Sequence, residues 1–322
     1  MLIVHHWDTD GICSAAKLVK ALRPESYVNM SPEIGDFSFS QRIRDAIEEH
    51  DEVYVLDLNL PHEVEGASKR ITFIDHHIQG KIQNELVEQI NPLLDGKDPK
   101  DYPSCTTVLS DHFGDWDLLS ALGAVGDVGE KALGVARVRE QLDLAGIGFE
   151  EAQHIVSLID SNYLAVDLAS VEEAVRIVLS SGIEELRNRP EWVERFNDIQ
   201  RTIEDSLATR EDMDGFTVVD YSSPYNIVSK LARKAVWEMG YSGALVINRD
   251  FHGKGQTYFR ISPETATRID IASIIARLKD IGINAGGKRE VVGSVYPLAR
   301  TEEVLAIIRP HLPIREKGGN SK

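Results

Sequence analysis

Short apolar runs alternate with amphipathic stretches through the first 80 residues. "LIVHH" (2–6) is a short apolar run, and "GICSAAKLVKAL" (11–22) carries its apolar residues at helical spacing. "YVNM" (27–30) predicts a second strand. "FSQRIRDAIEEH" (39–50) predicts a helix with Ser38 or Ser40 as its cap. "VYVLD" (53–57) and "ITFID" (71–75) read as strands, separated by "PHEVEGAS" (61–68), a short helix opened by Pro61. Strands separated by helices imply βαβ units and a parallel sheet. From about 104 to 208 the pattern is mostly helical, and the charged segment 183–212 reads as a helical connector.

The pattern then mixes again. "FTVVDY", "ALVIN", "TYFRIS" and "GSVYPL" read as strands. "IVSKLARKAVWEM", "DIASIIARLKD" and a last segment from about 301 read as helices, with turns at "RDFHGKGQ" and at Gly286-Gly287. The predicted fold class is therefore α/β. A parallel-sheet domain (1–185) is followed by a helical connector (186–212) and a smaller α/β domain (213–322). No internal repeat or low-complexity tract interrupts it.

Composition narrows the class. The 322 residues, 42% hydrophobic and 27% charged, describe a globular protein able to bury a sizeable core. No apolar run approaches the ~20 residues of a membrane span, and the first residues lack the basic-then-apolar pattern of a signal peptide. With Cys13 and Cys105 read as free thiols, a cytoplasmic protein is expected. The net charge of −17 argues at first against nucleic acid. Its distribution changes that reading: 16 Lys+Arg stand against 13 Asp+Glu after residue 210, and 19 against 39 before it. An acidic part suited to metals precedes a slightly basic part suited to a polyanion.

"HHWDTDG" (5–11) raises the chemical question. His6, Asp8 and Asp10 stand at spacing two, which in a strand places side chains on one side. Asp57 ends the strand "VYVLD", and Asp75, His76 and His77 end "ITFID". Asp127 lies in "ALGAVGDVGE", read as a glycine-flanked loop. Ligands of open parallel sheets gather beyond the carboxyl ends of the strands. So many carboxylates stay ionised together only if cations join them. Mixed carboxylate and imidazole donors without thiolate suit Mn²⁺ or a similar divalent ion, and the donors suffice for two ions sharing one carboxylate.

Those four segments, in this order, resemble the motifs of the DHH superfamily of phosphoesterases, named for the triplet that here is Asp75-His76-His77. The resemblance covers residues 1 to 130. It implies two Mn²⁺ ions, with Mg²⁺ as the alternative. His6, Asp8 and Asp57 would hold one, and Asp10, Asp57, His76 and Asp127 the other, with Asp57 bridging and His77 facing the phosphate. In some branches the first histidine lies upstream, where this chain has Val4. "TYFRIS", "IDIASIIARL" and "NAGGKREVVGSVYP" are similar to the DHH-associated domain, which implies Arg260, Gly286 and Gly287 at the substrate. Lys288 stands where the usual motif has histidine.

The function implied is a Mn²⁺-dependent exonuclease acting from an end of single-stranded DNA or RNA, 3′→5′ by similarity to archaeal RecJ-like enzymes and nano-RNases, and releasing nucleoside 5′-monophosphates. Ser104 opens a helix whose N-terminus can hold phosphate or simply be capped. Trp7 is a candidate stacking platform or a core residue. A helicase or a replication or repair complex is the partner class the resemblance implies, and a homo-oligomer stays open. The alternatives are a DHH enzyme for oligoribonucleotides, cyclic dinucleotides or phosphoadenosine phosphate, and a non-catalytic replication or repair scaffold. A haloacid-dehalogenase-type phosphatase also fits "DTDGI", but it leaves Asp75-His76-His77 without a task.

Overall fold

The computed structural model describes residues 1–36 and 38–313, which form two compact units divided between Phe196 and Asn197. In the first, β1 (Leu2–His5) leads into α1 (Thr9–Leu22) and then β2 (Val28–Met30). Next come α2 (Gln41–Glu49), β3 (Val53–Leu56), α3 (Pro61–Val64), β4 (Ile71–Ile74) and β5 (Val87–Ile90). The five strands are all parallel, in the order β2-β1-β3-β4-β5. Strand alternation divides the core between the two faces. Leu2, Val4, Val55 and Phe73 pack on the side of α2 and α3. Ile3, Leu56 and Ile74 pack on the opposite side, against α1 and the helices that follow.

Those helices are α4 (Cys105–Phe113), α5 (Leu118–Val128), α6 (Ala136–Ala145), α7 (Phe149–Leu164), α8 (Leu168–Ser180), α9 (Ile183–Arg187) and α10 (Pro190–Ala208), and the boundary between the units falls inside α10. No helix among the described residues is long and apolar enough to cross a membrane.

Asp117 fixes the start of α5, accepting from the Ser120 amide as its N-cap. It also pairs with Lys20 at 2.7 Å and with the buried Lys17 at 2.9 Å. Burial alone would raise its pKa, but the Lys17 charge and the lysine hydrogen bonds outweigh this and hold it below the usual carboxylate range. A depressed folded-state pKa contributes stability above the ordinary carboxylate value near 4, and that stability is lost as pH falls through the lower folded value. Asp117→Ala strands the Lys17 ammonium and removes the cap. It should cost about 3–5 kcal/mol at neutral pH, with the deficit shrinking toward pH 3, as urea unfolding at several pH values would show. An equal deficit at pH 7 and pH 3 would contradict the ion-pair account.

The second unit is a six-stranded mixed sheet built from β6 (Glu211–Met213), β7 (Phe216–Tyr221), β8 (Gly243–Phe251), β9 (Lys254–Ile261), β10 (Asn284–Lys288) and β11 (Val291–Pro297). Its order is β10-β11-β9-β8-β7-β6, antiparallel except for β7 and β8. The β8–β9 hairpin turns on His252 and Gly253, both with positive φ, the twist-matched turn of a two-residue loop. Between the strands run α11 (Val228–Arg233), continued by a π-helical turn (Lys234–Glu238), and α12 (Ile271–Asp280); α13 (Thr301–Ile308) follows the last strand. Leu245, Phe259, Ile261, Val292 and Tyr296 form the core with α12 and α13.

Three expectations are corrected. Asp127 lies in the last turn of α5, not in a loop; Gly123 and Gly126 let this helix pack closely, as shown below. Gly286 and Gly287 lie in β10 rather than in a turn, because their backbones pair with Gly293 and Val292 of β11. The edge strand β5 was missed, because "VEQI" lacks the apolar run of its neighbours.

Candidate metal centre

Residues that follow adjacent parallel strands emerge at one level. His5, Leu56 and Ile74 are register partners, so the next residues, His6, Asp57 and Asp75, leave the sheet together. The His6 and Asp57 amides still donate to Leu56 and Ile74. β1 and β3 flank the point where the strand order reverses, the usual ligand crevice of such sheets.

Strand alternation does not bring the first motif together, as its spacing suggested. β1 ends at His5, Asp8 is the N-cap of α1, and Asp10 lies in its first turn. Gly11 makes this turn possible, since an added Cβ would sit 2.6 Å from the His6 carbonyl carbon. Thr9 ties the turn to α7, its amide and hydroxyl donating to Asp160 at 3.0 and 2.7 Å. The two imidazoles separate. His5 is fully buried, its Nδ1 2.7 Å from the His6 carbonyl oxygen, and burial lowers its pKa to about 4. His6 faces the acids, with Nδ1 2.8 Å from Asp8 Oδ2 and 3.8 Å from Asp57 Oδ2.

On the other side of Asp57, His76 Nε2 lies 3.4 Å from Asp57 Oδ1 and 3.5 Å from Asp127 Oδ2. Ligand atoms thus gather in two groups, His6-Asp8-Asp57 and Asp57-Asp75-His76-His77, each within 4.8 Å, and Asp57 belongs to both. Its φ of +58° is a left-handed conformation that Asp tolerates better than most residues. Strain of this kind is characteristic of functional sites.

Asp75 has a role the sequence left unassigned. It is fully buried, and its Oδ1 accepts the His76 amide (2.7 Å), the His77 amide (3.1 Å) and His77 Nδ1 (2.7 Å). Asp75 thereby holds the turn and orients the His77 ring. Burial alone would lower the His77 pKa, but the Asp75 hydrogen bond and charge raise it, favouring the imidazolium, the form whose Nε2–H can donate to a ligand. His77 lines a cleft of about 100 Å³ with His6, Asp8, Asp57, Asn59 and Asp127.

The electrostatics identify what such a site accepts. Burial raises Asp57 well above the carboxylate range, and Asp10 and Asp8 push it further. Burial, then Asp10 and Asp8, push Asp127 to about 7; burial and Asp8 push Asp10 to about 6. Burial and the His77 charge depress His76 to about 4. His76 Nε2 is a buried atom without a hydrogen-bond partner. A neutral imidazole lone pair aimed between two crowded carboxylates is a donor set suited to divalent cations of the Mn²⁺ or Mg²⁺ kind.

Asp10 is also close by but differently engaged. Its oxygens accept the Cys105 amide at 2.6 Å and the Thr106 amide at 3.0 Å. The first amides of α4 are therefore filled by an internal carboxylate. Ser104 is buried and accepts the Thr107 amide as the N-cap. Capping is its role, and Asp10 takes the amides a phosphate would need. Gly123 lets α5 approach, since a Cβ there would sit 2.5 Å from Asp10 Oδ1; one at Gly126 would lie 3.0 Å from Thr9 Cβ. Trp7 is a core residue rather than a platform.

Of the residues singled out in the second unit, Arg260, Gly286 and Lys288 lie on the sheet face opposite its core. Arg260 on β9 pairs with Val291 of β11, and Val291 with Lys288 of β10. Gly286 pairs with Gly293, and Gly293 with Tyr258. Arg260, Tyr258, Lys288 and Gly286 thus share a face. Gly287 alternates to the other face, and a Cβ there would lie 2.8 Å from the Val291 carbonyl carbon.

Residues 1–123 match the model of the DHH family, N-terminal domain. This part of the chain is similar to the DHH family. RecJ from Thermus thermophilus, solved with Mn²⁺, is similar over 98% of this chain and 53% of its own at 18% identity, with a TM-score of 0.68. The chain therefore spans about half of that relative. A structure of exonuclease RecJ bound to manganese is similar at 18% identity and TM-score 0.68, over 96% of this chain and 89% of its own. A pGpG-specific phosphodiesterase, PggH from Vibrio cholerae, is similar at 13% identity and TM-score 0.53, over 96% of this chain and 98% of its own. No curated protein sequence matches the chain.

Proposed function

We propose that this protein is a DHH-type, Mn²⁺-dependent exonuclease that removes nucleotides from an end of single-stranded DNA or RNA, 3′→5′, and releases nucleoside 5′-monophosphates. The observation that carries the reading is the pair of ligand groups sharing Asp57, beside the partnerless His76 Nε2. His6, Asp8 and Asp57 would hold one cation; Asp57, His76, Asp127 and the remaining lone pairs of Asp10 would hold the other. Bound cations would supply a water of lowered pKa and positive charge for the phosphoryl oxygens. Asp75 fixes the ring of His77 and favours its imidazolium, whose Nε2–H would donate to a phosphoryl oxygen facing the cleft. The direction of digestion follows from the resemblance to compact archaeal RecJ-like enzymes and nano-RNases. The second unit, slightly basic, would bind the strand.

Coverage favours keeping short oligonucleotides as a second reading. The chain spans 98% of the pGpG-specific enzyme and 53% of Thermus RecJ. End-labelled DNA and RNA strands of 2 to 40 nucleotides, incubated with Mn²⁺ or with chelator, separate the readings. A Mn²⁺-dependent ladder shortening from the 3′ end is expected. Cleavage confined to dinucleotides would transfer the proposal to small substrates, and no cleavage at any length would refute both.

Cations that relieve crowded carboxylates also stabilise the fold. At a hundred times its dissociation constant, Mn²⁺ should add about 2.7 kcal/mol to the unfolding free energy of the first unit. Scanning calorimetry with Mn²⁺ and with chelator measures this; identical melting in both would argue against the site.

A further inference from the structure

We propose that Trp237, stacked on Arg260, is a base-stacking platform that takes a nucleobase of a single-stranded nucleic acid on its exposed indole; the choice of ligand rests on the function proposed above. Trp237 lies in the π-helical turn after α11 and is 60% exposed, the most exposed aromatic among the large apolar side chains that reach solvent. Single-turn π-helices concentrate at functional sites. The Arg260 guanidinium carbon sits 4.7 Å from the indole centroid and 6.0 Å from the Tyr258 ring centroid, so the cation lies against both rings.

Among the described residues Arg260 is also left without a counter-ion. Arg249 pairs with Asp220 and Glu302, and Arg300 with Glu303. No ion pair involving Arg260 is found among the described residues, and its Nε is a buried atom without a hydrogen-bond partner. Its one side-chain hydrogen bond among the described residues is a 3.5 Å approach to the Tyr258 hydroxyl. A buried donor without an acceptor is costly, and a ligand anion would satisfy it. In the neighbouring row the Tyr258 ring lies over Gly293, 3.2 Å from where a Cβ would sit, and Gly286 has open space beyond it. Lys288 and Arg289 are exposed at the adjoining hairpin. An exposed indole and an unneutralised cation beneath it match the recurring pattern of single-strand binding: aromatic stacking for bases, cations for phosphates.

The test uses the full chain in chelator, so that nothing is cut, and fluorescence anisotropy of labelled ten-nucleotide oligothymidine and of an abasic strand of equal length. Trp237→Ala should weaken the base-bearing strand roughly 10–100-fold and leave the abasic strand within about two-fold. Trp237→Phe should recover most of the loss, and its melting curve guards against misfolding. Arg260→Met should weaken both strands and lower the salt dependence by about one charge. Unchanged binding in Trp237→Ala, or equal weakening on both strands, overturns the platform. If the wild type still yields the Mn²⁺-dependent ladder, the exonuclease reading survives that failure. A wild type that neither binds nor cuts any strand sinks both.

Discussion

Asp57→Asn is expected to lower kcat for phosphodiester hydrolysis roughly 10³-fold or more while leaving the metal-free protein at least as stable as the wild type. Cations at such sites supply several kcal/mol of charge stabilisation, and each ~1.4 kcal/mol is tenfold in rate. Asn preserves the shape and tolerates the φ of +58°, but it cannot carry the charge that both ligand groups share. The stability sign is the distinctive part. Burial and the charges of Asp10 and Asp8 already push the Asp57 pKa up, so without metal the neutral amide removes a repulsion. Mn²⁺ should then stabilise the variant far less than the wild type. Steady-state kinetics and calorimetry with and without Mn²⁺ check both halves. A variant that keeps its activity, or one that unfolds, contradicts the assignment.

Gly11→Ala should destabilise the first unit by at least about 3 kcal/mol. Replacing a helical glycine with alanine ordinarily gains about 1 kcal/mol, and Gly11 lies in α1 with no positive φ to forbid it. The opposing term is larger. The new Cβ would fall 2.6 Å from the His6 carbonyl carbon and 2.8 Å from its Cα. Both are backbone atoms that no side-chain rotation can move. Overpacking typically costs 1–3 kcal/mol, occasionally more, and a rigid neighbour places this case at the upper end. Because the clash pushes on His6, Mn²⁺ affinity should fall about 10–100-fold as well. Urea unfolding and Mn²⁺ titration would show it; a stabilised variant with unchanged affinity would mean that the turn relaxes freely.

The sequence made the sheet legible because parallel strands buried on both faces read as apolar runs, and "VYVLD" and "ITFID" are such runs ending in acid. The same property located Asp57 and Asp75-His76-His77. What the sequence obscured came from packing. Spacing two suggested strand alternation for His6, Asp8 and Asp10, whereas the chain had already turned into α1. The glycines around Asp127 suggested a loop, yet they serve close helix approach, Gly123 toward Asp10 and Gly126 toward Thr9. Local pattern cannot show that the α4 amides would be taken by Asp10, ninety-five residues away. Trp7 packs in the core, the simpler of the two roles its sequence position allows. Trp237 gave no signal, because its importance depends on Arg260 arriving from another strand.

The most direct test of the shared-carboxylate centre is Mn²⁺ binding to the metal-free protein, followed by calorimetry and electron paramagnetic resonance. Two Mn²⁺ ions per chain with a spin-coupled signal are expected, and the coupling should vanish in Asp57→Asn. A single ion, or two ions that remain magnetically independent in the wild type, would contradict a centre in which Asp57 joins two cations.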